Sequence, residues 1–356
     1  YHIIEDEFKR DNNKSYLSDF VFFNKFISPA HATHSNIIFE MYGNKLRDDS
    51  RKPASEYINE LKPNPNNLFN LIKRNNISAN FYGRYNGIFK KDELLDFENI
   101  KLSDKIFLSI DRYIIPSLGR LFTYKFIFFY NKHFKDQYFL EQKQSLKQFE
   151  KFTQRINNSG FTDDVVMNFG HWFFTKPLGL KKDCQFVENL PQNVSQTIGL
   201  RKCVMKLFKK FINTLKDKGI YKNSIIIFKS DNGLHSSYYP KSEKLSRSIN
   251  NSIYGYSVYR PFLMVKSLSS NRLDEINESI VTIFDLTNYF CNELKKFIID
   301  KSKKNNCELF DNKVLYEALY LNKTKSNRKI KILSDNGINS HYMHLAIFKT
   351  INIIDV

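Results

Sequence analysis

The chain has 356 residues, 42% of them hydrophobic, and a formal charge of +18. That length buries a large core, as one big domain or two modest ones. The basic balance attracts nucleic acid, anionic headgroups or acidic glycans, but the lysines are scattered and no zinc-finger spacing, RNP motif or basic zipper occurs, which sets nucleic acid aside as a partner.

The chain opens on "YHII", a short buried-strand pattern without Met, running into the acidic "EDEF". The expectation is that further sequence, a leader or a membrane anchor, lies upstream of residue 1. Residues 16–28 read as a second strand. "PAHATHSNIIFEMYGN" reads as a loop entering a helix that stops at Gly43, and residues 45–66 as a polar surface excursion. "NLFNLIKRNN" predicts a helix and "ISANFYGRY" a strand.

Residues 104–150 read as largely helical. Within them the most apolar stretch, 113–130, is interrupted by Pro116, Arg120 and Lys125 and is too broken to span a membrane. "DDVVMNFGHWFF" predicts a strand leading to a loop. Residues 194–219 give the clearest amphipathic helix, with Leu200, Val204, Leu207, Phe208, Phe211 and Leu215 at spacings of three and four, closed by Gly219. "SIIIFK" and "YRPFLMVK" read as strands, and 278–297 as a helix. Alternation of helix, short loop and apolar strand predicts an α/β sheet with helices on its faces. Ligand sites in such folds lie off the carboxyl ends of strands, which points to Asp6, Thr33, His171 and Asp231.

Residues 301–356 are Lys- and Asn-rich and then alternate in "RKIKILSDNGINSHYMHLAIF", a β-hairpin around Asn336-Gly337. The expected division is a catalytic domain over 1–300 and a small appendage over 301–356. Four Cys fall in two local pairs, 184/203 and 291/307. They suit two disulfides in an oxidising compartment, or four buried thiols in the cytosol.

Ser-Asp-Asn-Gly occurs twice, at 230–233 and 334–337. The second copy follows a half-exposed alternating run and reads as a turn alone. The first follows four consecutive apolar residues and is expected at the carboxyl end of a buried parallel strand, where a carboxylate is placed for metal or catalytic work.

"IIIFKSDNG" resembles the Ser-Asp-His/Asn-Gly motif of the alkaline-phosphatase-like superfamily, which includes sulfatases and phosphoethanolamine and phosphoglycerol transferases. Four further stretches follow in the order of that family. "YHIIEDEF" resembles its opening strand, "ISPAHATHSNIIFEMYG" its nucleophile loop and helix, and "VVMNFGHWFF" the strand presenting a substrate-facing His. "GYSVYRPFLMVKS" with "SIVTIFDLTNYF" resembles its late strand and helix. Cys184 and Cys203 match cysteine positions of a bacterial sulfatase-like group.

The resemblance implies a three-layer α/β/α domain with a mostly parallel central sheet, to which the C-terminal hairpin is appended. It implies a divalent ion held by Asp6, Asp231 and Asn232, with Glu7 as a further acid. Thr33 stands at the nucleophile position, with Ser35 in reserve. His171 is implied as the catalytic partner, and His235 and Arg112 are candidates for substrate binding. The oxygen ligands favour Ca²⁺, Mg²⁺ or Mn²⁺ over Zn²⁺.

The implied activity is metal-dependent phospho-group transfer or hydrolysis on an anionic lipid or glycan, at the periplasmic or outer face of a bacterial membrane. Asn232 matches calcium sulfatases, where the transferases carry His. The sulfatase Cys/Ser-x-Pro-x-Arg signature is absent from "ATHSNII", so a formylglycine nucleophile cannot form. The alternatives are therefore a Ca²⁺ sulfatase, or a degenerate, anion-binding member.

Overall fold

The computed structural model describes residues 14–28, 36–37, 40–41, 68, 70, 72, 77–83, 125–158, 166–172, 174, 179–187, 190, 194–233, 260–268, 275–297, 330–333 and 340–343, in some helices the backbone alone. Its contacts divide the chain into two compact units. One comprises residues 1–78, 163–165 and 212–356; the other comprises 79–162 and 166–211.

In the first unit a short helix α1 (Lys14–Leu17) leads into β1 (Val21–Ile27). The strand reading of residues 16–28 is corrected at its start: Tyr16 and Leu17 are helical, and the extended backbone begins at Val21, where the β-branched and aromatic run starts. β4 (Ile226–Lys229), β5 (Leu263–Lys266) and β6 (Glu275–Thr282) complete a four-stranded sheet in the order β4-β5-β1-β6. β1 pairs parallel with β6 and antiparallel with β5, and β5 pairs antiparallel with β4. β4, β1 and β6 therefore run the same way and β5 alone opposes them.

The helix read over 278–297 is likewise corrected. Ile280, Val281 and Thr282 belong to β6, and helix α4 begins only at Ile283, running to Phe297. The switch has a local cause. The Asp285 carboxylate accepts hydrogen bonds from the Thr282 backbone N–H (2.6 Å) and hydroxyl (2.8 Å), so Thr282 and Asp285 occupy the first and last places of a capping box. Val21, Phe23, Phe26, Leu263, Val265, Val281, Ile283, Leu286 and Tyr289 form one buried cluster between the sheet and α4. Full burial of an aliphatic or aromatic side chain of this kind contributes roughly 1.5–3 kcal/mol.

The loop into β4 is held from the sheet side. Lys266, buried in β5, donates through Nζ to the Ser224 and Ser267 carbonyls (2.9 and 3.3 Å) and stands 4.7 Å over the Tyr221 ring. Burial holds its pKa below the ordinary lysine value.

The second unit contains β2 (Ser78–Gly83), helix α2 (Lys125–Asn158) and β3 (Val166–His171). It also holds most of α3 (Val194–Asp217). β2 and β3 make a two-stranded sheet of their own. Phe149, Phe174, Leu180, Leu200, Cys203 and Leu207 are its core, with Trp172 and Phe211 packed against them.

α3 follows its sequence pattern closely. Leu200, Leu207, Phe208 and Leu215 are buried, and the helix ends two residues before Gly219, whose φ of 72° is the left-handed value that glycine tolerates best. Cys184 and Cys203 form a disulfide, so the free-thiol alternative is excluded for this pair.

The C-terminal hairpin is present as β7 (Ile330–Leu333) antiparallel to β8 (Ser340–Met343). Its Leu333↔Ser340 register is symmetric about positions 336 and 337, although the turn itself lies outside the described residues.

Candidate active site

The site is built on the end of β4. Ser230 prolongs the β4–β5 ladder by one residue: its N–H donates to the Phe262 carbonyl, and the Phe262 N–H donates to Ser230 Oγ, both at 3.1 Å. Asp231 is the first residue past that ladder. It is 8% exposed, with Asn232 and Gly233 half-buried beside it. One expectation is corrected here: three of the four residues of β4 are only half-buried, and its neighbour among the described residues is the antiparallel β5. Ile225 and Ile227 pack on the main core.

The chain leaving β1 meets the same corner. β1 and β4 run the same way, so Ser28 and Ser230 leave the sheet at one edge. Residues 36, 37, 40 and 41 are helical. Asn36, fully buried, donates through Nδ2 to the Asp231 carbonyl at 3.0 Å. One helical turn later Glu40 pairs with Lys229 at 2.9 Å. The Glu40 carbonyl in turn accepts the Thr287 hydroxyl of α4. Two polar contacts one turn apart thus seat the segment after β1 against the Lys229–Asp231 end of β4. The Lys229 charge is matched by Glu40 within the protein.

Asn36, Glu40 and Lys229 were not singled out from the sequence. The signal was there: polar residues at i and i+4 inside the otherwise apolar "NIIFEM" mark a helix face turned toward polar groups.

His171 closes β3 in the second unit and is half-buried. Trp172 folds back across Gly170, leaving no room there for a Cβ, which explains the glycine before the histidine. Asn80 on β2 donates to Asn168 on β3 at 3.1 Å. Asp6, Glu7, Thr33, Ser35, Arg112 and His235 lie outside the described residues, as does the second Ser-Asp-Asn-Gly.

A buried carboxylate next to an amide is an oxygen donor pair, suited to a hard divalent cation, and a cation offsets the cost of burying the charge. The described part of the site therefore fits such an ion. Among the described residues no group of three or more His, Cys, Asp or Glu gathers that could hold a metal. A complete set needs donors from beyond them. Also among the described residues, no helix is long and apolar enough to cross a membrane.

A family profile described as Sulfatase matches residues 12–291. Solved structures share the fold at low identity. The crystal structure of Ps i-CgsB has a TM-score of 0.51 at 13% identity, over 93% of this chain and 73% of that one. The same protein in complex with k-i-k-neocarrahexaose gives 0.50 at 13%, over 90% and 73%. BT1596, described as a 2-O GAG sulfatase, gives 0.51 at 10%, over 93% and 76%. No curated protein matches the chain by sequence. The chain belongs to the sulfatase family, and with it to the alkaline-phosphatase-like superfamily of α/β hydrolases.

Proposed function

We propose that this sulfatase-family hydrolase cleaves an acidic ester, sulfate or phosphate, carried on a glycan. Thr33 is the nucleophile and the Asp231–Asn232 corner the metal-binding end of the site. The observation that carries the reading is the Asn36–Asp231 hydrogen bond. It ties helical residue 36, three positions after Thr33, to the carboxylate corner, as transfer chemistry requires when nucleophile and charge-neutralising group act on one ester. The glycan is supported by the fold neighbours, one crystallised with neocarrahexaose and another named a GAG sulfatase.

Asp231 and Asn232, with Asp6 and Glu7, would hold a divalent ion, Ca²⁺ or Mg²⁺/Mn²⁺ ahead of Zn²⁺. Such an ion supplies Lewis-acid neutralisation of the ester oxygens. The Thr33 hydroxyl attacks sulfur or phosphorus, the glycan oxygen leaves on the opposite side with a proton, and water then releases the sulfate or phosphate from Thr33. His171 and His235 are proposed as proton donor and substrate contact, and Arg112 as an anion contact. The disulfide supports an extracytoplasmic location. The 301–356 appendage belongs to the same proposal.

Aryl sulfate and aryl phosphate esters, assayed with added Ca²⁺, Mg²⁺ or Mn²⁺, test the reading. Turnover that falls at least about 10³-fold in Thr33→Ala, with a sulfo or phospho adduct on Thr33 in trapped enzyme, supports it. Turnover unchanged in Thr33→Ala contradicts it. A second reading is a retired enzyme, favoured by the missing Cys/Ser-x-Pro-x-Arg signature. It predicts no turnover of any ester.

A further inference from the structure

We propose that the 179–187 loop and the adjoining face of α3 form one basic surface that binds the chain of a sulfated glycan. This rests on the glycan reading above.

The loop is a small closed structure. Leu180 and Phe186 make an antiparallel bridge, the Lys181 N–H donates to the Gln185 carbonyl at 3.0 Å, and the Cys184 N–H donates to the Lys181 carbonyl at 2.9 Å. Leu180, Cys184 and Phe186 of the loop pack in the core of the unit. Lys181 and Lys182 are left exposed. The Cys184–Cys203 disulfide ties the loop to α3. A Cβ on Gly199, one turn before Cys203, would come within 3.5 Å of the Lys182 backbone nitrogen, so the loop lies along the helix at positions 199 and 203.

Helical periodicity then continues the surface. Positions 199, 203, 206 and 210 share one face. The two residues beyond the loop on that face are Lys206 and Lys210, both exposed, and exposed Lys202 flanks them. Lys202 to Lys210 spans about 12 Å along the helix axis. α3 carries Arg201 and five lysines against the single acid Asp217 at its end. The one acid in the loop, Asp183, accepts the Gln185 N–H at 3.2 Å and so turns into its own loop.

The chemistry of the face selects the partner. From residue 195 onward the exposed positions of α3 are Ser195, Lys202, Lys206, Lys209, Lys210, Asn213, Lys216 and Asp217. None is apolar, so nothing there would enter a bilayer beside the lysines. None is aromatic, so nothing would stack on unpaired bases. A linear array of cations without apolar or aromatic anchors fits a hydrophilic chain of fixed negative charges, which a sulfated polysaccharide is.

The test compares binding of sulfated dextran and unsulfated dextran across a range of NaCl concentrations. It uses wild type and the variant Lys182→Glu/Lys202→Glu/Lys206→Glu, with Lys→Gln at the same positions as a milder variant. Wild type is expected to bind only the sulfated polymer. The Glu variant should bind at least 10-fold more weakly with a shallower salt dependence, and the Gln variant should lose less in the same direction. Aryl-ester turnover and far-UV circular dichroism should stay as in wild type. Equal binding by wild type and the Glu variant would overturn the proposal. So would wild type preferring vesicles of anionic phospholipid, or a single-stranded oligonucleotide, over the sulfated polymer. The polymer measurement needs no turnover, so failure of the catalytic reading leaves it interpretable.

Discussion

Asn36 is the residue on which the site's geometry turns. It is fully buried, and its amide satisfies the Asp231 carbonyl. Asn36→Ala leaves that buried acceptor without its donor, at a cost of about 1–3 kcal/mol. Denaturant unfolding should show the loss as a lower midpoint with an unchanged slope. Turnover should fall by more than the stability change explains, because the segment next to Thr33 loses its tie to the corner. Asn36→Asp is expected to be worse than Asn36→Ala, since a carboxylate facing a carbonyl oxygen offers no donor. The Lys229–Glu40 pair is the milder neighbour. Both partners are mostly buried, so Lys229→Met leaves Glu40 an uncompensated acid and should destabilise more than Lys229→Met/Glu40→Leu together, a difference a double-mutant cycle reads directly.

At the scale of elements, the join between β6 and α4 makes the sharpest prediction. Asp285 accepts both the N–H and the hydroxyl of Thr282. Asp285→Ala should cost about 1–2 kcal/mol, visible as a lower melting temperature. A strand packing Val281 and a helix packing Leu286 meet at that cap, so the loss falls on the main core. This join also shows where reading the letters failed. "ESIVTIFDLTNYF" carries apolar residues at helical spacing throughout, and periodicity alone ran the helix back to residue 278. The Thr-x-x-Asp pair at 282–285 was the stop signal, and it outranks periodicity because the Asp285 carboxylate takes up the Thr282 backbone N–H as well as its hydroxyl. α3 was legible almost to the residue, since three- and four-residue spacing, a charged outer face and a glycine stop all agree. β4 was legible as a strand, but not in its pairing. Four apolar residues in a row fit a parallel neighbour and an antiparallel one equally well, and only the partner strand decides.

For the molecule as a whole, the disulfide and the Asp231 corner carry separate consequences. Cys184 and Cys203 enclose a loop of 19 residues in sequence. Removing the bond as Cys184→Ser/Cys203→Ser should cost about 3 kcal/mol through the freed unfolded chain, measured under non-reducing conditions against wild type. The position of Asp231 just past a strand end was legible, because an apolar run precedes the first Ser-Asp-Asn-Gly. Its supports were not: Asn36 lies 195 positions from Asp231, and contacts at that separation leave no local pattern.

The central claim, that Asp231 and Asn232 form a metal-binding corner of a sulfatase-family active site, is tested most directly by native mass spectrometry with elemental analysis of wild type and Asp231→Ala, each supplied with Ca²⁺, Mg²⁺ and Mn²⁺. The account predicts a divalent ion on wild type that is lost, together with ester turnover, in Asp231→Ala. The same ion content in both proteins, or none in either, would contradict it.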